Sequence, residues 1–231
     1  MKRSVEREMM DRPELPAALL EDDLTNLRII NRSLGAARGV LGCLAAYVEE
    51  NHPAGFSLLD VGAGSGDIAA RIAGWARRKG VSARIVALER NPVAAQAARR
   101  LASNWPEISV LRADGFSPPF SPGAFDFVFV SQVLHHFSED EVVRLLRTWA
   151  GLAQRALLVS DLVRHPLAYY GIRLLTGFSR NAMTRTDAPL SVRRAFTLGE
   201  WREIFRRADV GAFDLDRLFP FRIFASFSLK G

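Results

Sequence analysis

The sequence predicts an α/β protein, a mostly parallel sheet with helices on both faces, and three observations carry that expectation. From Phe56 onward, short apolar runs alternate with amphipathic stretches at helical spacing. The first of these runs ends in a glycine-rich turn that passes directly into a helix. The run Phe125–Val130 holds a single charged residue, as expected of a strand covered on both faces.

The elements follow in order. Residues 1–13 are charged and expected to be loose. Residues 14–50 read as two helices: Leu19, Leu20, Leu24, Leu27 and Ile30 recur at helical spacing, Gly35 interrupts, and a second helix runs from Arg38 to Glu50. Pro53 and Gly55 mark a break. A strand at Phe56–Val61 leads into a helix from Gly66 to Lys79, and a second strand spans Ala83–Leu88. Asn91-Pro92 supplies a cap and a first-turn proline for a helix ending near Ser103. Strands are predicted at Ile108–Leu111, Phe125–Val130 and Ala156–Val159. Ser138 with Glu141, and Thr197 with Glu200, are capping boxes that start helices. Residues 162–195 read as an insertion: a helix from Pro166 to Leu175, then a polar stretch from Gly177 to Arg194. Two closing strands, Phe213–Leu218 and Phe221–Leu229, flank Pro220. The expected organisation is a helical cap over 1–52 and a ligand-binding domain over 53–231, with residues 162–195 as a lid.

Composition bounds the rest. The chain has 231 residues, 48% hydrophobic and 24% charged, which suits one α/β domain with a small cap. No apolar run reaches the ~18 residues of a membrane span, and the N-terminus has no apolar centre, so neither a span nor a secretory leader is expected. Cys43 is the sole cysteine, which excludes an intrachain disulfide framework and fits a reducing, cytoplasmic setting. The net charge of +6 is carried almost wholly by arginine, since lysine occurs only at Lys2, Lys79 and Lys230. The arginines are spread among acids, and no aromatic-rich basic stripe accompanies them, so no nucleic-acid partner is expected.

The sharpest motif is Leu58-Leu59-Asp60-Val61-Gly62-Ala63-Gly64-Ser65-Gly66-Asp67-Ile68. Glycines here let a ligand approach the turning backbone, although such a turn can also be only a turn. The third glycine comes one residue too early for the dinucleotide fingerprint, and Asp67 takes its place. Asp60 and Asp67 beside the helix start repel a pyrophosphate and suit a cationic ligand with an amino group and a sulfonium. No Gly-Lys-Ser/Thr follows, so the turn is not a Walker loop. Glu89 ends the second strand, where an acid can accept both hydroxyls of a ribose. Asp114-Gly115 follows the third strand, either as an adenine-reading element or as an ordinary Asp-Gly turn.

These pieces resemble the class I S-adenosylmethionine-dependent methyltransferases. The likeness runs through the glycine turn, Ala87-Leu88-Glu89-Arg90-Asn91-Pro92, Arg112-Ala113-Asp114-Gly115, the run from Phe125 to Phe137, and Leu157–Leu162. It covers residues 56–161 closely and 197–229 loosely. The resemblance implies a Rossmann-like seven-stranded sheet with one antiparallel strand. It implies S-adenosylmethionine as cofactor and S-adenosylhomocysteine as product. Asp60, Gly62, Ala63 and Gly64 would line the methionine half, Glu89 would bind the ribose, Asp114 and Gly115 would flank the adenine, Ser131 and Gln132 would border the sulfonium and the amino acid portion, and Gly66 and Arg90 would also belong to the cofactor site. The chain is closer to the small-molecule branch that includes ubiquinone and menaquinone biosynthesis methyltransferases. His135-His136-Phe137 and the segment Ser191–Thr197 resemble enzymes acting on phenolic or quinol lipids.

Methyl transfer requires an acceptor brought in line and, for a hydroxyl, relieved of its proton. His135 and His136, past the fourth strand, are candidate bases, or else one ring packs and the other borders the cofactor. Asp161 can orient a base or hold a hydroxyl. His165 and Asp187 lie in the lid, as bases or as surface polar groups. Adjacent histidines diverge on a regular element, so no metal site is expected. The apolar lid favours a small aromatic or hydrophobic acceptor over the rival readings: an RNA or protein methyltransferase, an NAD-dependent oxidoreductase, or a non-catalytic cofactor-binding subunit.

Overall fold

The computed structural model describes residues 1–12 and 16–229. Residues 14–15, at the start of the first expected helix, and 230–231, at the end of the expected domain, lie outside them. Seven strands are present: β1 (Gly55–Val61), β2 (Ser82–Leu88), β3 (Ile108–Leu111), β4 (Phe125–Ser131), β5 (Ala153–Leu162), β6 (Ala212–Leu218) and β7 (Arg222–Ser228). They form one sheet in the order β3-β2-β1-β4-β5-β7-β6. All neighbours are parallel up to β5, and β7 runs antiparallel to both β5 and β6. This is the expected Rossmann-like sheet with one reversed strand.

Alternation along β1 and β4 builds two cores. Leu58, Phe127 and Phe129 face α2 (Arg38–Asn51) and α3 (Asp67–Lys79). Leu59, Val61, Val128 and Val130 face α5 (Glu139–Ala150) and α8 (Leu198–Ala208). Strands with apolar side chains on both faces are thus covered on both sides. α4 (Pro92–Ala102) starts on the Asn91 side chain, which accepts from the amides of Val93 and Ala94. Both predicted capping boxes are formed, Ser138 with Glu141 and Thr197 with Glu200.

The lid region departs from its sequence reading. α6 (Pro166–Thr176) is present as expected, but the polar stretch after it contains a further helix, α7 (Ala182–Arg194). Asn181 caps it by accepting from Met183 and Thr184. Two things concealed it: Pro189 inside the helix, and burial of polar residues (Thr184, Asp187, Arg194) beside the apolar Met183 and Leu190. α7 packs on α1 (Ala17–Ser33), and Leu20 and Leu24 of α1 meet Met183 and Ala94 of α4 in a small third cluster.

The charged N-terminus, expected to be loose, is docked as a strap. The Ser4 amide donates to the Arg193 carbonyl at 3.0 Å. Arg3 lies over the Phe196 ring and donates to the Phe137 carbonyl at 2.7 Å. The Asp187 carboxylate accepts from the amides of Met9 and Met10 at 2.9 and 3.0 Å. The strap therefore crosses the carboxyl ends of the strands, with α1 and α7 beside it.

Candidate functional site

Strand order reverses between β1 and β4, so their connections leave the sheet in opposite directions and open a crevice at the carboxyl edge. The turn after β1 is tied down there. The amides of Gly62 and Ala63 donate to the Leu88 carbonyl at the end of β2. Gly62 and Gly64 hold φ of +68° and +56°, where side chains are disfavoured. A Cβ on Gly62 would meet Val133 Cγ2 at 2.5 Å, whereas one on Gly64 meets nothing within 4 Å. Gly64 thus faces open cleft, and Gly62 lets the β4 connection close against the turn.

Carboxylates ring this turn. Glu89 accepts from the Gly64 amide at 2.9 Å and the Asn91 amide at 2.7 Å, which fixes its side chain at the cleft wall. A carboxylate has four lone-pair sites, so both oxygens retain capacity for ribose hydroxyls. Asp60 is 2% exposed, and its Oδ2 has no hydrogen-bond partner. Burial, then the neighbouring Asp67 and Glu89, push its carboxyl well above the usual range. A buried carboxylate without a partner is stabilised by a cation placed against it. Arg28 from α1 lines the same recess, so a zwitterionic amino acid finds both of its counter-charges there. These features fit the methionine half and the ribose of S-adenosylmethionine.

Two connected spaces make up the site. Asp60, Gly62, Ala63, Gly64, Ser131, Gln132, His135 and His136 line an inner recess. Glu89, Arg90, Asp114, Gly115 and His136 line an outer cleft of about 850 Å³, which shares Gly62, Gly64 and Gln132 with the recess. That volume lies within the range of small-molecule sites. Ser131 Oγ is buried and without a partner. Gln132 holds a left-handed φ of +56° and donates to Asn31 Oδ1 at 2.6 Å. The Asp114 carboxylate accepts from the Phe116 amide, the local turn contact of an Asp-Gly pair. Gly66 lies outside both spaces, where it caps α3 against Ala98.

The histidines meet a cluster of acids. His135 is 2% exposed, and its Nδ1 lies 2.7 Å from Asp161 Oδ1. Asp161 is buried and also accepts from the amides of Leu134 and Leu162, so it positions His135 and lines neither space. Burial pushes its carboxyl up, but the charge and hydrogen bond of His135 outweigh this and hold it below the ordinary value. His136 Nδ1 lies 3.1 Å from Asp11 Oδ2. Glu8, 1% exposed, enters from the strap: its Oε1 lies 3.7 Å from His135 Nε2 and its Oε2 3.8 Å from His136 Nε2. Burial pushes the Glu8 carboxyl up to about 7.

The expectation that adjacent histidines diverge is corrected here. They sit on a 3-10 turn, Leu134–His136, not on a regular strand or helix, and each ring is held by its own carboxylate. Their centroids lie 4.4 Å apart. Two lid candidates fall away from this centre. His165 caps α6, accepting from the Leu167 amide, and stacks on Phe221. Asp187 borders the inner recess, but both its oxygens hold the strap. Sequence reasoning missed Glu8, Asp11, Arg28 and Asn31. For the last two a signal exists: Leu24, Leu27, Arg28 and Asn31 share one face of α1 at helical spacing, and that face lines the recess.

Residues 58–155 match the family model described as a methyltransferase domain. No curated protein matches the chain. Human N-acetylserotonin methyltransferase, crystallised with S-adenosylmethionine, superposes with a TM-score of 0.66 at 15% identity, over 94% of this chain and 57% of that one. A plantazolicin methyltransferase in complex with a triazolic desmethylPZN analogue and S-adenosylhomocysteine gives 0.70 at 13% identity, over 91% of each chain. The magnesium protoporphyrin IX methyltransferase of Synechocystis, also with S-adenosylhomocysteine, gives 0.58 at 17%, over 86% and 83%. The chain spans about half the length of the first structures matched, 57% of the human enzyme and 47% of the citrinin polyketide synthase CMeT domain. At these identities the superpositions establish the fold.

Proposed function

We propose that this chain, whose residues 58–155 match a methyltransferase domain, is an S-adenosylmethionine-dependent methyltransferase acting on oxygen or carbon of a small hydrophobic, aromatic or quinol-like molecule. The observation that carries the reading is the Asp60 carboxylate, buried and unpartnered at the glycine turn, with Arg28 in the same recess and Glu89 at the end of β2. When bound, the cofactor would supply a methyl group already activated on a sulfonium. Asp60 would hold its amino group, Arg28 its carboxylate and Glu89 its ribose. Three acids around the turn disfavour a pyrophosphate and hence a dinucleotide.

The protein's remaining task is to bring the acceptor in line. His135, His136 and Glu8 stand at the recess end beside Ser131 and Gln132, and we assign the acceptor oxygen to that cluster. Asp161 keeps the His135 ring oriented with Nε2 toward the recess. Apolar groups of the outer cleft, among them Leu20, Leu24, Val133 and Phe137, suit the body of an aromatic acceptor.

The test is a thermal melt with S-adenosylhomocysteine. At about 100 times its dissociation constant the ligand adds ~2.7 kcal/mol, or about 5–10 °C for a chain of this size. Wild type is expected to show this shift and Glu89→Ala to lose it. A shift with NADH and none with S-adenosylhomocysteine would overturn the cofactor assignment. Turnover of RNA or protein, with none across a panel of phenols and quinols, would overturn the acceptor assignment.

A further inference from the structure

Glu8, His135 and His136 place three ligand-type atoms within 4.8 Å of one another. The cluster is incomplete as it stands. His135 Nε2 and Glu8 Oε1 are buried and have no hydrogen-bond partner. Both ring Nδ1 atoms are committed to carboxylates, His135 to Asp161 at 2.7 Å and His136 to Asp11 at 3.1 Å. In the neutral ring whose Nδ1 donates to a carboxylate, the lone pair is on Nε2. Two imidazole nitrogens and a carboxylate thus lie within 4.8 Å of one another, and a gap of 3.7–3.8 Å between nitrogen and oxygen is too wide for a direct hydrogen bond.

We propose that Glu8, His135 and His136 bind a divalent first-row transition-metal ion, zinc in the first instance, with an open position facing the inner recess. Two histidines and a glutamate are a known ligand set for zinc with one site left free. Ligand bonds of 2.0–2.1 Å in a tetrahedron put ligand atoms about 3.3 Å apart, so the two nitrogen–oxygen gaps contract by about 0.5 Å, and the set as a whole, which lies within 4.8 Å, closes further as the ion is taken up. The outer contacts also fit. Ligating histidines donate their other ring nitrogen to a carboxylate, as Asp161 and Asp11 allow here.

The local charge permits a cation. Arg194 approaches Glu8 Oε1 to 3.8 Å, yet its guanidinium is engaged by the carbonyls of Glu6, His135 and His136. The carboxylates of Glu8, Asp11, Asp161 and Asp187 outnumber the guanidiniums of Arg3 and Arg194. Because all three ligands border the recess with Ser131 and Gln132, the free position points toward the acceptor end. On the function proposed above, an acceptor hydroxyl takes that position and its pKa falls, as that of zinc-bound water does. The proton passes to solvent water in the cleft, and the resulting oxyanion takes the methyl group as the sulfur–carbon bond breaks with its electron pair left on sulfur. This last step rests on the methyltransferase reading, whereas the metal site rests on the cluster alone.

The experiment uses full-length, tag-free protein stripped by a chelator. Zn²⁺ affinity is measured by competition with a chromogenic chelator, and Co²⁺ is added as a spectroscopic probe of nitrogen–oxygen ligation. One ion per chain is expected, bound at micromolar or tighter affinity, at least ~100-fold weaker in Glu8→Gln and His136→Ala and unchanged in His165→Ala. Asp11→Asn, which alters only the outer contact, should lose about tenfold. The S-adenosylhomocysteine melt shift, run on every variant, shows which are folded and tests the cofactor reading separately. Wild type that shows the melt shift but takes up no stoichiometric Zn²⁺ at millimolar concentration overturns the metal site. So does equal affinity in all variants.

Discussion

Single residues carry opposite costs at neighbouring positions. Gly62 and Gly64 are both left-handed, but only Gly62 is hemmed in, by Val133. Gly62→Ala should cost about 1–3 kcal/mol of stability through strain and overpacking and lower the melting temperature by several degrees. Gly64→Ala adds a methyl to open cleft, so it should cost about 1 kcal/mol for the backbone while weakening S-adenosylhomocysteine at least tenfold by calorimetry. Equal affinity for wild type and Gly64→Ala would place the cofactor elsewhere. Asp23 shows a different strain. Its Oδ1 accepts from Thr184 Oγ1 at 2.6 Å, its Oδ2 is buried without a partner, and burial pushes its carboxyl up to about 6 from 3.8. The folded state thus favours the protonated acid. Its contribution is fully present below pH ~4 and lost as pH rises through about 6. At ~1.4 kcal/mol per unit, the scale is about 3 kcal/mol. Melts of Asp23→Asn and wild type should diverge in the variant's favour by about 6–12 °C between pH 4 and pH 8. Residues of the glycine turn were legible in the sequence because their chemistry is written in adjacent positions. Glu8 was not, because nothing in a charged N-terminus says which acid will be buried.

Elements were legible where the signal was local and hidden where tertiary contacts overrode it. Asn91, Ser138 and Thr197 announce helix starts by caps that need only the next three residues. α7 carries an interior proline and buries Thr184 and Asp187 against α1 and the strap, so neither propensity nor periodicity revealed it. Its start depends on Asn181, which caps it and also donates to the Leu19 carbonyl and Asp22 Oδ2 of α1. Loss of a cap together with buried hydrogen bonds costs about 2–3 kcal/mol. Asn181→Ala should therefore melt about 5–10 °C lower than wild type. An unchanged melt would show that α7 is held by its apolar contacts alone.

At the scale of the molecule, the sheet and the strap are separate in kind. Neither of the two large cores includes a residue before Ala36, so strand order and packing do not depend on the first twelve residues. Deleting residues 1–12 should leave a cooperatively melting protein that still binds S-adenosylhomocysteine, with Zn²⁺ uptake and acceptor turnover abolished. Loss of the folded sheet would contradict this division. The sequence showed the sheet through alternating elements, and the reversed strand through resemblance. It could not show closure across the site, since the contacts that make it join residues more than a hundred positions apart.

That distance has a consequence during synthesis. Arg3 and Glu8 leave the ribosome well before Arg194, which is among their partners. The strap must wait, unpaired, until α7 has emerged, while the strands behind it are already able to pair. Residues made before the sheet are thus seated after most of it, and this end of the cleft is assembled only once α7 has been made.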